Sequence, residues 1–172
     1  MIREIRLADA TTLDIEGVRY VCRIGPGGIA AAGEKREGDM KTPTGVFALR
    51  ACYYRPDRIS PPPTTQLPLI ALTPADGWCD DPSHAQYNQP VKLPFAARHE
   101  KLWREDHVYD LLIPLGYNDG VGGPIIPGAG SAIFMHLMRD DDRGTEGCIA
   151  LKPADMLALL PRLSCHTLVR VG

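Results

Sequence analysis

Residues 133–151 read IFMHLMRDDDRGTEGCIAL. An apolar run that delivers His136 is followed by a short acidic loop and then by Gly147-Cys148-Ile149. A thiol on a glycine turn, shortly after a histidine at the mouth of a strand, outlines a Cys–His nucleophile pair. The thiolate is the form that attacks an acyl carbon, and an imidazole is the usual means of generating it near neutral pH. Cys148 is therefore the candidate nucleophile and His136 its base, with a thiolate expected well below the pH at which a free thiol ionises. Gly147 lets the chain turn sharply, so that the backbone N–H groups of Gly147, Cys148 and Glu146 can converge on an oxyanion. The competing reading makes His136 a satisfied histidine at a strand end and Cys148 a small buried residue.

A length of 172 residues fits a single core. Nineteen basic and twenty-one acidic residues leave a net charge of −2 with no dense basic run, which argues against nucleic acid as a partner. Gly at 17 and Pro at 16 favour a strand-and-loop protein over long helices. Five cysteines are an odd number without a framework spacing, and Cys22, Cys52 and Cys165 read as small hydrophobes. Cys79, His84, His99 and His107 match no compact ligand spacing, and Asp140, Asp141 and Asp142 read as a solvated loop flanked by Arg139 and Arg143 as exposed counter-charges, so neither metal nor cofactor is expected. The N-terminal residues lack the apolar core of a signal peptide, and no stretch approaches a membrane span. A monomer is expected.

Outward from the central stretch, 2–7, 11–15 and 18–24 read as a β-meander with a two-residue hairpin turn at Glu16-Gly17. Residues 25–38 are glycine-rich without the features of a phosphate loop, and read as a turn. Pro43 holds Thr42 extended ahead of a strand over 46–54. A strand is expected over 69–73, and residues 77–88, carrying Trp78, read as a polar and aromatic loop of the kind that lines a site. One helical turn is expected within 95–103, strands over 107–113 (with Tyr109, Leu111 and Ile113 on one face), 132–137 and 167–171, and loop over 116–130. Residues 153–163 predict a helix with Pro153 in its first turn and Met156, Leu157, Leu160 and Leu163 as its buried stripe.

The segment 136–151, with GTEGCIAL at its end, resembles the catalytic motif of the YkuD-type L,D-transpeptidases, in which a histidine precedes a Ser/Thr-x-Gly-Cys-aliphatic signature. Residues 41–47, KTPTGVF, resemble the TP-x-G-x-F strand entry of that family, and 78–88 an insert of some members. The resemblance covers about 25–160. It implies a mainly β fold of two packed mixed sheets with a short helix after the cysteine, and a single catalytic domain over 1–172. The implied substrate is a peptidoglycan stem peptide in the cell envelope, although the absence of a signal peptide leaves the cytoplasm open. Cys148 would form a thioester after the L-centre of diaminopimelate, His136 would act as base and then acid, and the acyl group would pass to an amine. Many members have histidine before Gly-Cys and Arg or Asn two positions after it, where this chain has Glu146 and Ala150. Substrate contacts are accordingly expected from Thr145, Glu146, Arg139, Arg143 and Trp78. An L,D-carboxypeptidase or endopeptidase using the same thiol, and a non-catalytic peptidoglycan-binding module, are the alternatives.

Overall fold

A computed structural model describes residues 1–141 and 143–172, so Asp142 of the expected solvated loop lies outside the described residues. The chain begins as the expected meander, β1 (Glu4–Asp9), β2 (Thr12–Ile15) and β3 (Val18–Arg23), all antiparallel. Glu16 and Gly17 both take positive φ, 54° and 82°, which matches the twist of the flanking strands. Next come β4 (Ile29–Ala30) and β5 (Thr42–Pro43), a short parallel pair, then β6 (Gly45–Ala48), β7 (Cys52–Tyr54) and β8 (Leu69–Ala71). The single strand expected over 46–54 is thus broken: Leu49 bridges Leu115 and the Arg50 N–H bonds Pro114 O at 3.1 Å, as the chain changes sheet partners there.

Residues 77–88 and 95–103 differ from expectation. They belong to a three-stranded antiparallel insert, β9 (Asp76–Cys79), β10 (Pro90–Lys92) and β11 (His99–Lys101), with β9 in the centre. The expected helical turn is absent because one isolated turn is marginal, whereas pairing with the edge of β9 satisfies the backbone. Then follow β12 (Leu111–Pro114), β13 (Phe134–Leu137), β14 (Ile149–Leu151), α1 (Pro153–Leu159) with a 3-10 turn Leu160–Arg162, and β15 (Leu168–Val171). β12 starts late because residues 106–110 form a turn, with the Asp110 N–H bonded to His107 O at 2.9 Å. Tyr109 consequently leaves the face of Leu111 and Ile113 and packs with Leu112 in a second core.

The main sheet has ten strands in the order β6-β15-β1-β2-β3-β14-β13-β12-β7-β8. It is mixed, with β1 parallel to β15 and β13 parallel to β14, and it curls until the Leu49–Leu115 bridge joins the chain after edge strand β6 to the chain after β12. Its two halves pack face to face over Ile5, Leu13 and Val169 on one side and Ile113, Met135 and Leu151 on the other, which is the expected pair of packed sheets. The helix stripe is Met156, Leu159, Leu160 and Leu163, all buried, whereas Leu157 is 46% exposed. Positions i, i+3, i+4 and i+7 from Met156 share a face and Leu157 lies about 100° round from it, which corrects the expected stripe. Cys22 and Cys52 are buried, but Cys165 is exposed, because the 164–167 turn, closed by the Thr167 N–H on Ser164 O, presents it outward.

Leu159→Ala should lower the unfolding free energy by about 2–4 kcal/mol and Leu157→Ala by no more than about 0.5 kcal/mol in urea denaturation, the reverse of what the sequence stripe alone implies.

Candidate active site

The parallel pair β13–β14 sets the geometry. His136 lies opposite Ala150, and Cys148 sits immediately before β14. Strand alternation sends Met135 and Leu137 into the main core, while Phe134 packs in the second core with Cys148, Trp78 and Tyr109. The His136 ring meets the edge of Tyr109 with centroids 5.4 Å apart. Its Nδ1 lies 2.8 Å from Leu137 O. A carbonyl only accepts, so Nδ1 carries the proton and Nε2 keeps its lone pair. The Cys148 thiol donates to Ala132 O at 3.1 Å and accepts the Phe134 N–H at 3.3 Å. No hydrogen bond joins it to His136 among the described residues.

The turn holding Cys148 is shaped by Thr145, whose hydroxyl donates to Cys148 O at 2.6 Å and accepts the Gly147 N–H at 3.2 Å. Gly147 has φ +122°, and a Cβ there would lie 2.6 Å from Lys41 O. Only glycine fits that position. Gly25 is pressed against Met40 and the backbone of Gly147, and the Thr145 N–H bonds Ile24 O at 3.1 Å. The glycine turn at 25–28 and the KTPTG segment are therefore the walls of the cysteine turn. Sequence reading left the first of these as a plain turn, and nothing local marks its partner.

Burial pushes the Cys148 thiol up to about 12, the Glu100 carboxylate adding to the effect, with the Phe134 N–H acting against it. Burial brings His136 down to about 4, and the Arg139 and Arg104 charges act in the same direction. Glu100, half-buried on β11, is pushed up to about 7 by burial although the Tyr109 hydroxyl donates to it at 2.6 Å. The expected low-pH thiolate is thus absent from this state. Both partners are neutral at pH 7, since burial disfavours the ion pair and no hydrogen bond links them.

The insert covers the thiol. Trp78 on β9 meets Phe134 edge-on at 5.0 Å, and its Nε1–H donates to Asn88 Oδ1 at 2.9 Å. That oxygen also accepts the Ala132 N–H at 2.9 Å, while Asn88 Nδ2 donates to the carbonyls of Tyr117 and Asn118. Asn88 thus fastens the insert to the strand entering the site. Sequence reasoning passed over it, although asparagine tolerates its left-handed backbone (φ 57°) better than most residues.

The predicted site residues divide accordingly. Cys148, His136, Gly147, Thr145 and Trp78 come together. Thr145 is buried with its hydroxyl engaged in the turn, and the Gly147 N–H is held by that hydroxyl and not offered to an oxyanion. Glu146 is exposed beside the thiol. Arg139 reaches Asp106 at 3.8 Å and its charge also helps to lower the Asp141 carboxyl, while Arg143 is held by Asp141 at 2.6 Å. A cavity of about 230 Å³ borders Trp78, Asn88, Ile133 and Phe134, and a groove of about 700 Å³ runs beside it along the loop 116–129; the two share Tyr117 and Asp119.

A curled mixed sheet thus sets the cysteine turn beside the histidine strand, with a helix following. The chain belongs to the YkuD family of L,D-transpeptidase catalytic domains, whose pattern matches residues 5–171. That family acts on peptidoglycan. No curated protein and no solved structure matches the chain. Among the described residues no helix is long and apolar enough to cross a membrane.

Iodoacetamide at pH 7.5 should label exposed Cys165 while Cys148 stays unlabelled, and labelling of Cys148 should rise only as the pH approaches its raised range. Peptide mapping by mass spectrometry reads this directly, and equal labelling of both thiols at pH 7.5 would contradict the neutral buried thiol.

Proposed function

We propose that residues 1–172 act as one cysteine-dependent L,D-transpeptidase domain on peptidoglycan stem peptides. The observation that carries the reading is the placement of a neutral imidazole, its Nδ1–H fixed on Leu137 O, one strand away from a thiol on a glycine turn. Sγ leaves Ala132 O, turns towards His136 Nε2 and gives up its proton as it attacks the carbonyl after the L-centre of the diamino acid. Because burial disfavours the separated ion pair, proton transfer and attack are coupled. The oxyanion falls to the Cys148 N–H, since the Gly147 N–H is engaged. Protonated His136 then hands its proton to the departing amine of the terminal D-residue, leaving a Cys148 thioester. An amine of a second stem attacks that thioester, His136 takes the amine proton and returns it to the thiolate.

Hydrolysis is the same sequence with water as acceptor. The covered thiol favours transfer, since an insert that excludes water gives a bound amine the advantage. On this reading the protein acts at the cell envelope.

Incubation with a disaccharide-tetrapeptide should give cross-linked dimers and free terminal D-residue. Both should fall by at least about 1,000-fold in Cys148→Ala. Dimers that persist in the variant would overturn the reading. Shortened monomers without dimers would make the protein a carboxypeptidase, and no product from the wild type would favour the binding module.

A further inference from the structure

We propose that the cavity walled by Trp78, Asn88, Ile133 and Phe134 is a carboxylate-binding subsite for the donor stem, with the guanidinium of Arg50 as its receptor. The inference rests on the acyl-transfer reading for its substrate. Arg50 lies at the break between β6 and β7, where the backbone bridges to β12. Its Nε–H donates to Asp119 Oδ2 at 2.6 Å, and its side chain remains one-third exposed. Asp119 is itself fixed, its other oxygen accepting the Val121 N–H at 3.1 Å. Among the described residues the two terminal nitrogens of Arg50 have no hydrogen-bond partner, so the planar fork is oriented at its root and open at its end.

Gly116 provides the room. A Cβ there would lie 2.5 Å from Arg50 Nη2 and 2.9 Å from Cζ, so the guanidinium rests on bare backbone. An oriented fork with two open N–H pairs matches a carboxylate, which takes two parallel hydrogen bonds. The aromatic walls suit the short carbon chain that bears it. The cavity lies one residue from the thiol: Phe134 lines it and lends its N–H to Sγ, while Asn88 lines it and bonds the Ala132 N–H. At about 230 Å³ it takes one residue end and not a disaccharide, and its shared wall at Tyr117 and Asp119 leads into the long groove where the rest of the stem can lie.

A donor stem offers two carboxylates near the reacting bond, that of the terminal D-residue and that on the side chain of diaminopimelate. Binding is measured by calorimetry on Cys148→Ala protein, which separates it from turnover. Three disaccharide-tetrapeptides are used: unmodified, amidated at the terminal carboxylate, and amidated at the diaminopimelate side chain. Arg50→Gln, made in the same background, should weaken the unmodified stem by about 10–100-fold. It should cause no further loss with the stem whose contacted carboxylate is already amidated, and the full loss with the other, which names the source. Arg50→Lys, which keeps the charge without the fork, should recover only part. Arg50→Gln affinities within twofold of the parent for all three stems, or equal losses for all three, would overturn the subsite. Failure of the acyl-transfer reading shows separately, as a wild-type protein that releases no D-residue.

Discussion

The backbone of the cysteine turn is the constraint on which the rest of the site depends. Gly147 must adopt a left-handed conformation with Lys41 O against its α-carbon, and the Thr145 hydroxyl clamps the turn from inside by bonding both the Gly147 N–H and Cys148 O. The turn in turn fixes the approach of two segments far away in sequence, the glycine turn after β3 and the segment leading into β6. With those walls in place β14 pairs with β13 in parallel register, and that pairing brings His136 and Cys148 to the same face of the sheet.

Burial then decides the chemistry. A thiol and an imidazole in a dry pocket both prefer their neutral forms, so the site has base and acid without a standing charge separation. The insert that makes the pocket dry also covers the thiol. Its attachment runs through Trp78 and Asn88, the latter bonding the Trp78 indole and two backbone segments, 117–118 and Ala132. On the proposed acyl-transfer reading the insert must give way to substrate, and binding energy from the stem peptide then controls access to the thiol.

Much of this was legible in the chain itself. Strand alternation and the Glu16-Gly17 turn marked the opening meander, and the spacing of His136 to Gly147-Cys148 marked the pair, because both signals are local. What sequence reading missed depended on distant partners. The strand at His99–Lys101 exists because β9 offers an edge, and Tyr109 leaves its expected face because a turn at 106–110 delays β12. The roles of Gly25 and Gly116 were equally hidden, since each glycine makes room for a group supplied from elsewhere, a backbone turn in one case and the Arg50 side chain in the other. Burial opposes the expected thiolate for a related reason. Residue types alone do not show that the insert buries the thiol beneath Trp78 and Phe134, with Glu100 opposing ionisation.

The central claim is that Cys148 carries the acyl group while His136 moves the proton. Intact-mass measurement after mixing protein with disaccharide-tetrapeptide and quenching in acid tests it most directly. The account predicts an adduct equal to the stem less its terminal D-residue, located on the Cys148 peptide and lost in His136→Gln. Product formed with the acyl group on another residue, or an adduct that forms equally well without His136, would contradict it.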